Sequence, residues 1–478
     1  MMKNVGRYIL LCTILASWVF FDACKVGPDF KPQRTEIDSL AVYRFDSLRL
    51  ATEDSVLNIR WWEMFQDSIL DSLITIGLEE NKDLLIATAR IEQSEAILGI
   101  TRADLYPSFG YSVGASRGNV NNGAVLSPDG DALNLFSGFG TLSWEIDFWG
   151  KFRRSQEAAR AELIASEYGK RSVQIGLIAR IASTYYLLLD FKWRLFISNQ
   201  TYELRKQSED IIRERFNGGI AAEIELNQAQ IQTAIAAGAI PVFKRSIGQT
   251  ENALAVLLGR NPHTVVTGAD LADQPKPPDV PVGIPSMLMT RRPDVLQTEM
   301  LVHAQNARIG VAVAQRFPSI SLTGLLGVAS TELSNINLSP PAFSAGAMLA
   351  GPIFEFGKNK RRVELERKRT EEAMYAYEKT VITAFQEVED ALIEISTYKD
   401  QLTARQNHVA AAQNARILSA ERYDKGVTSY LELIESQRQA FEAQLSLSET
   451  TRGLFDGYIN LYKALGGGWL SPAEEAGN

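Results

Sequence analysis

The amino-acid sequence predicts an α+β membrane protein with an internal duplication, in which four β-strands and two pairs of long helices come from two similar halves of one chain. Three observations predict this fold class. Two long stretches of sequence repeat at a nearly fixed offset, each stretch contains a pair of amphipathic strand patterns, and each strand pair precedes a long proline-free tract of helix-forming residues.

The repeat is defined by residue pairs that keep the same separation along the chain. Asp83 and Pro107 recur as Asp294 and Pro318, 211 residues later. After the strand patterns the offset becomes 207 residues, in the pairs Gly150 and Gly357, Lys151 and Lys358, Arg215 and Arg422, Phe216 and Tyr423, and Leu226 and Leu433. A constant offset over such distances indicates duplication of a large structural unit, with predicted repeats over 81–291 and 292–478.

The strand patterns lie before each long helical tract. We predict strands over about 107–120 and 136–149 in the first repeat, and over about 317–330 and 342–356 in the second. The first pattern alternates Phe109, Tyr111 and Val113 with small residues, which is the period of a strand with two different faces. Each strand could cross a bilayer core when tilted. A soluble hairpin is the alternative, and the aromatic residues clustered on the second strand weaken it.

Proline placement predicts the helices. Proline is absent from residues 129–240 and from residues 353–471, which permits unusually long helices. We predict helices over about 152–215 and 221–258 in the first repeat, and over about 360–423 and 428–465 in the second. Their length and alanine content favour coiled-coil-like packing. Four strands cannot close a membrane barrel, and lipid does not tolerate an open sheet edge, so membrane strands would require an oligomer.

Residues 1–23 have the pattern of an export signal. Lys3 and Arg7 precede an apolar run over residues 9–21 that is too short for a comfortable membrane span. The run ends before Ala23-Cys24, which resembles the processing site of bacterial lipoproteins, and this resemblance implies a covalent lipid on Cys24. Ordinary signal cleavage nearby is the alternative. Cleavage before Cys24 would also remove Cys12 and leave a mature chain without a disulfide.

Charge and residue content exclude several classes of function. The formal net charge is −8, which argues against a nucleic-acid partner. The three histidines, His263, His303 and His408, are scattered, and neither a metal-ligand spacing nor a phosphate loop, nucleophile elbow or dinucleotide fingerprint is present. We therefore predict that the protein is not an enzyme and has no metal site, and no cofactor other than the lipid on Cys24.

Seven short segments, taken in order, resemble the TolC-like outer-membrane efflux family, in particular its lipoprotein branch. They are Cys24–Pro32, Trp61–Phe65, Ala89–Glu92, Trp144–Lys151, Arg291–Asp294, Gly351–Gly357 and Arg422–Gly426. Each segment alone is a weak signal. Together with the duplication and the order of strands and helices, they make the resemblance specific.

This resemblance implies a homotrimer in the cell outer membrane. Three chains would each supply four strands to a 12-stranded barrel, which a periplasmic α-helical barrel would continue. The implied function is the outer-membrane channel of a tripartite efflux pump, working with a periplasmic adaptor protein and an inner-membrane transporter. A belt would come from residues 24–80, which include the lipid anchor, from 260–290 and from the C-terminal stretch. The alternatives are a conduit for protein secretion and a non-conducting coiled-coil lipoprotein.

The resemblance also implies a periplasmic gate at the helix turn of the second repeat. Leu431, Glu432 and Glu435 match gate positions of the family, and Tyr423 matches a tyrosine that helps to hold the tip closed. Three copies would place an apolar ring and carboxylate rings around a narrow pore, which can close by dewetting and attract cations. A solvated helix face is the alternative for the two glutamates.

Overall fold

The computed structural model describes residues 25–31, 60–121, 124–125, 132–277, 287–338 and 340–467. Its contacts divide the chain into two compact units. Within the described residues, the first unit takes the segment 25–31, Arg90–Ser166 and Gln297–Tyr377. The second takes 60–89, Glu167–Leu296 and the chain from Glu378 onward.

The first unit contains the β-sheet. Its strands are β1 (Ser108–Gly118), β4 (Leu133–Ile146), β5 (Ser319–Ser330) and β6 (Ala342–Ala350), all antiparallel and in the order β1-β4-β5-β6. A short ribbon, β2 (Val120–Asn121) with β3 (Ala124–Val125), follows β1. Each repeat therefore contributes one hairpin, and the two hairpins meet at β4 and β5, which lie in the middle of the sheet.

The helices are also duplicated. They are α1 (Ser68–Glu80), α2 (Lys82–Ala103), α3 (Lys151–Asn217), α4 (Glu223–Leu257), α5 (Met287–Arg291), α6 (Pro293–Ala314), α7 (Lys358–Asp424) and α8 (Tyr430–Ala464). Helices α3 and α7 have 67 residues each, and α4 and α8 have 35 each. The fold class predicted from the sequence, long paired helices with four strands in two repeats, is confirmed.

Two details of the predicted strands are wrong. The strand predicted over 342–356 ends at Ala350, because Pro352 has no N–H for a ladder and Phe356 has a positive φ of 47°. The strand predicted over 136–149 instead spans Leu133–Ile146. Helices α2 and α6, which lead into β1 and β5, were not among the predicted elements.

The second unit has an aromatic core. Trp61 stacks on Tyr462 with ring centroids 5.1 Å apart, and Tyr186 stacks on Phe455 at 4.4 Å. All four side chains are buried. Helix α3 also contains an 18-residue stretch apolar enough to cross a membrane, but 56% of that stretch is buried inside the protein, as is typical of a core helix.

Asp67 is a buried hub in the second unit. It caps the first turn of α1, since its Oδ1 accepts from the N–H groups of Ile69 and Leu70. Its Oδ2 accepts from the Tyr185 hydroxyl at 2.6 Å and from the Gln274 side-chain amide at 3.0 Å. One carboxylate thus joins three segments that are far apart in sequence, and the burial and the negative charge beside it raise the pKa of Tyr185.

Residues 25–31 form an N-terminal strap in the first unit. The fully buried Arg154 donates to the carbonyl oxygens of Val26 and Gly27 and to the carboxylate of Asp29, at 3.2, 3.1 and 2.8 Å. Gly27 has a φ of 98°, and a Cβ there would come within 2.4 Å of the Cα of Gly310. Only glycine fits this close approach between the strap and α6.

Two further contacts hold the strap. Phe30 stacks on the imidazole of His303 with ring centroids 4.6 Å apart, and Lys25 pairs with Glu157 at 2.5 Å. Burial alone would raise the pKa of Glu157, but the Lys25 hydrogen bond and the Arg154 charge outweigh it, so this pKa lies below its ordinary value. The strap is therefore fixed to both repeats, through α3 and α6.

Candidate functional site

The candidate site lies where each long helix turns into its shorter partner. In both repeats a glycine with positive φ ends the long helix: Gly219 has a φ of 72° and Gly426 one of 73°. The hydrogen bonds are equivalent as well, since Ile220 N–H donates to Arg215 O at 2.8 Å and Val427 N–H donates to Arg422 O at 2.9 Å. Both turns are thus helix C-caps with a glycine of positive φ. This conformation lets backbone N–H groups of the turn bond to the last carbonyl oxygens of the helix.

The two turns pack against each other through an apolar cluster, which we call the tip cluster. Ile212 and Leu226 come from the first repeat, and Tyr430, Leu433 and Ile434 come from the second. All five side chains are buried. The cluster joins the end of α3 to the beginnings of α4 and α8, and Ala420 and Tyr423 of α7 pack against it, so any movement of one turn away from the other would expose it.

Tyr423 links the two repeats beside the tip cluster. Its hydroxyl donates to Glu225 Oε2 at 3.2 Å, and the guanidinium of Arg215 lies over its ring, 5.2 Å from the centroid. Arg215 also pairs with Asp424 at 3.4 Å. Partial burial, together with the negative charge of Glu225, raises the pKa of Tyr423. The structure therefore places Tyr423 in contact with two residues of the first repeat.

Leu431, Glu432 and Glu435 lie on the opposite, exposed face of α8. Leu431 is 62% exposed. Glu432 pairs with Arg422 at 3.2 Å and accepts a hydrogen bond from the Thr428 hydroxyl. The three predicted gate positions therefore share one surface, whereas Tyr423 belongs to the packed side of the tip.

Glu435 is held by an arginine on its own helix. Arg438 donates to it through Nη2 at 2.6 Å and Nε at 3.0 Å, and Gln439 donates at 2.8 Å. These bonds lower the pKa of Glu435 to about 2. Arg438 also pairs with Glu442 at 2.8 Å. The predicted carboxylate ring is therefore accompanied by an arginine, which the resemblance did not point to, although the spacing of three residues is the usual one for a helix ion pair.

Two further predictions concern Cys24 and metal binding. Cys24 lies outside the described residues, so its lipidation stays a prediction, which mass spectrometry of the mature N-terminus would check. Within the described part of the chain, no group of three or more histidine, cysteine, aspartate or glutamate side chains is placed to hold a metal ion.

The sequence matches the family described as outer membrane efflux protein over residues 73–260 and 284–467, so both repeats are covered. It is similar to the probable efflux pump outer membrane protein TtgC of Pseudomonas putida, with 32% identity over 431 residues, 87% of this chain and 86% of that protein. It is also 30% identical to the cation efflux system protein CusC of Escherichia coli O157:H7 over 468 residues, 97% of this chain and 99% of that protein.

Solved structures of outer-membrane channels are also similar to this chain. The outer-membrane channel OprN superposes with a TM-score of 0.85 at 27% identity, over 93% of this chain and all of that one. The CmeC outer membrane channel of Campylobacter jejuni superposes with a TM-score of 0.87 at 27% identity, over 95% of this chain and 97% of that one. The likeness therefore extends over nearly the whole length of each protein, in sequence and in fold. This chain belongs to the outer membrane efflux protein family, and it is the outer-membrane channel of an efflux pump rather than an enzyme.

Proposed function

We propose that the protein is a passive trimeric conduit for small molecules or ions, supplied by a periplasmic adaptor protein and an inner-membrane transporter. The observation that carries this proposal is the four-stranded sheet with β1 and β6 at its edges. Neither edge strand has a second partner in the described part of the chain, and an open edge is not tolerated in lipid. A closed barrel from several copies removes every edge.

Small cargo is favoured over polypeptides. The relatives reported above are described as efflux pump and cation efflux proteins, and neither description names a secreted protein. The two amphipathic hairpins argue in addition against a non-conducting coiled-coil stalk, which would have no need of them. The energy for transport would come from the inner-membrane transporter, since nothing in the sequence predicts nucleotide binding.

The tip would act as the gate of this conduit. Tyr423, with Glu225 and Arg215, holds the two turns together and would keep the tip closed. Leu431, Glu432 and Glu435 would line the narrow end, where an exposed leucine can exclude water and the glutamates set the local charge. Because Arg422 and Arg438 pair with these glutamates, the charge at the narrow end would be mixed rather than purely negative.

Conductance measurements in planar bilayers test the conduit together with its latch, by which we mean the contact of Tyr423 with Glu225 and Arg215. The purified protein should insert and show small, gated conductance steps. Tyr423→Phe keeps the ring but removes the hydroxyl bond to Glu225, which is worth about 1 kcal/mol, so the variant should be open several times more often. Tyr375→Phe is the matched control, because it removes a tyrosine–glutamate bond of the same 3.2 Å elsewhere on α7.

The two parts of this experiment fail separately. A protein that inserts but never conducts would contradict the conduit. Conductance with the same open fraction in wild type and Tyr423→Phe would contradict only the latch. An equal increase in Tyr375→Phe would show that loosening α7 anywhere opens the channel, and would remove the special role of the tip.

Removing Arg438 should make the selectivity of the channel acid-dependent. A carboxyl with a lowered pKa keeps its charge until the pH falls through that lowered value, so in the wild type Glu435 stays ionised from pH 7 to pH 4. In Arg438→Ala the pKa of Glu435 should return toward its ordinary 4.5. Reversal potentials in a salt gradient should then show greater cation preference at pH 7 than in wild type, with loss of that preference on acidification toward pH 4.

The double variant Glu435→Gln with Arg438→Ala is the control for this titration. Since the titrating carboxyl is gone, its selectivity should change with pH no more than that of the wild type. Superimposable pH curves for wild type and Arg438→Ala would mean that Glu435 does not face the conduction path.

A further inference from the structure

Helices of the first unit surround an open cavity of about 620 Å³. Its lining comes mainly from α2, α3, α6 and α7, which are the helices that adjoin the four strands of the sheet. Part of this lining is apolar and consists of Ile97, Ala158, Ala159, Val311, Ala312 and Leu365. Binding sites for small molecules typically have roughly 300–1,000 Å³. The cavity therefore has both the room and the apolar surface for a small organic molecule.

The cavity lies on the side of α6 that the strap does not cover. The strap contacts α6 at His303 and Gly310, whereas the cavity is lined by Arg308 and Ala312. At 3.6 residues per turn, these two pairs lie on opposite sides of the helix. The strap begins directly after Cys24, so a lipid on that cysteine would enter the membrane from the side of the strap. In the proposed conduit the cavity then faces the interior, where cargo passes.

The arginines of the cavity come from one repeat only. Each of them has an equivalent in the first repeat that lines the same cavity and is not basic: Arg308 with Ile97, Arg362 with Ser155, and Arg369 with Glu162. Helices α3 and α7 have equal length and begin at the equivalent residues Lys151 and Lys358. An arginine that such a helix needed for folding would be expected in both repeats. The comparison indicates that the fold does not require arginine at these positions.

Arg362 differs from the other two arginines in its contacts. Arg308 bonds Glu162, and Arg369 bonds Glu366 at 2.8 Å, so each of these arginines is paired with a carboxylate that also lines the cavity. Arg362 donates to the neutral side-chain oxygen of Asn359 at 3.1 Å, and none of its contacts in the described part of the chain is an ion pair. The cavity thus contains one positive charge that no glutamate of its lining balances, in a chain whose formal net charge is −8.

We propose that the cavity binds a soluble amphipathic organic anion, which lays its apolar part on the apolar lining and bonds its acidic group to Arg362. A guanidinium suits such a group because it can donate two parallel hydrogen bonds to one anion. A cation of the same shape would be repelled by the unbalanced charge. A membrane lipid is excluded as the occupant, since the cavity lies opposite the strap. This inference rests on the proposed function and adds a class of cargo to it.

Calorimetric titration of the purified full-length protein in a nonionic detergent tests the site. Naphthalene-2-sulfonate is the probe, because it combines an apolar ring system with a permanent negative charge. The wild type should bind it saturably, and Arg362→Ser should bind it about tenfold more weakly, which is the effect of losing one charge-assisted hydrogen bond. This variant should fold normally, since serine is the residue at the equivalent position of the first repeat. Arg362→Lys keeps the charge and should retain part of the affinity.

Two controls accompany the titration. Arg367→Ser removes an exposed arginine of the same helix that does not line the cavity, so this variant should bind the probe as the wild type does. The neutral analogue 2-naphthalenemethanol should bind the wild type more weakly than the sulfonate does, and should not distinguish the wild type from Arg362→Ser. Absence of saturable binding, equal affinity in Arg362→Ser and wild type, or an equal loss in Arg367→Ser would overturn the proposed site.

Conductance measurements separate this proposal from the proposed function. If the cavity lies on the conduction path, naphthalene-2-sulfonate should reduce the single-channel current of the wild type, and about tenfold more of it should be needed for Arg362→Ser. A protein that conducts but does not bind the probe would contradict the cavity site and leave the conduit intact. A protein that binds the probe at Arg362 but never conducts would support the site and contradict the conduit. Binding with no effect on the current would contradict the interior position of the cavity.

Discussion

Replacing Arg154 with alanine should release the N-terminal strap and lower the free energy of unfolding of the first unit by about 3 kcal/mol. Arg154 is 1% exposed and donates to two carbonyl oxygens and a carboxylate of residues 25–31. Alanine would leave those carbonyls without their donor and a space above Gly310. Arg154→Lys should recover little, because an ammonium on a single stem cannot reach three separate acceptors at once.

Limited trypsin digestion measures the release of the strap directly. Lys25 directly precedes the contacts of Arg154, so cleavage after Lys25 should accelerate at least tenfold in Arg154→Ala, and the melting temperature in detergent should be lower. Arg160→Ala is the control, because Arg160 lies on the same helix but is exposed. Equal protection in wild type and Arg154→Ala would mean that the Phe30–His303 stack and the Lys25–Glu157 pair hold the strap without the arginine.

Replacing Asp67 with alanine should destabilise the second unit by about 3 kcal/mol or more. Loss of the cap of α1 costs about 1 kcal/mol. The Tyr185 hydroxyl and the Gln274 amide, both buried, would also lose their shared acceptor, at about 1–3 kcal/mol for each unsatisfied group. Asp67→Asn keeps the volume but offers one acceptor oxygen instead of two, so its loss should be intermediate.

Thermal unfolding followed by tryptophan fluorescence suits this variant, since Trp61 and Trp62 are buried in the core next to α1. The melting temperature should fall in the order wild type, Asp67→Asn, Asp67→Ala. Glu79→Ala, an exposed acidic residue on the same helix, should leave it unchanged. An Asp67→Ala variant as stable as wild type would show that water replaces the carboxylate at this hub.

Local patterns in the sequence were sufficient to predict the strands and helices, but not the contacts between residues that are far apart in sequence. Period-2 alternation and the absence of proline located the first three strands and the long helices within a few residues, whereas the fourth strand, which alternates poorly, ends six residues before its predicted end. The strap and the Asp67 hub were missed because they join residues more than a hundred positions apart, such as Arg154 with Asp29 and Tyr185 with Asp67. No periodicity encodes such pairs.

The contacts of the candidate gate also include some that the sequence could predict and some that it could not. Resemblance located Tyr423, Leu431, Glu432 and Glu435, but it gave no sign that Arg215 would cover the tyrosine ring, since that contact crosses from one repeat to the other. The Arg438 pair with Glu435 is different. It lies on one helix at a spacing of three residues, so charge patterning alone could have found it.

The strap gives the boundary between the two repeats of one chain a support of its own. Arg154 of the first repeat and Asn306 of the second both donate to the strap, so it spans the boundary that is completed when a single chain folds. In a ring of such chains each subunit would be stiff, and the contacts between subunits would deform more easily. Widening of such a ring would then occur at the contacts between chains, without weakening the fold of any one chain.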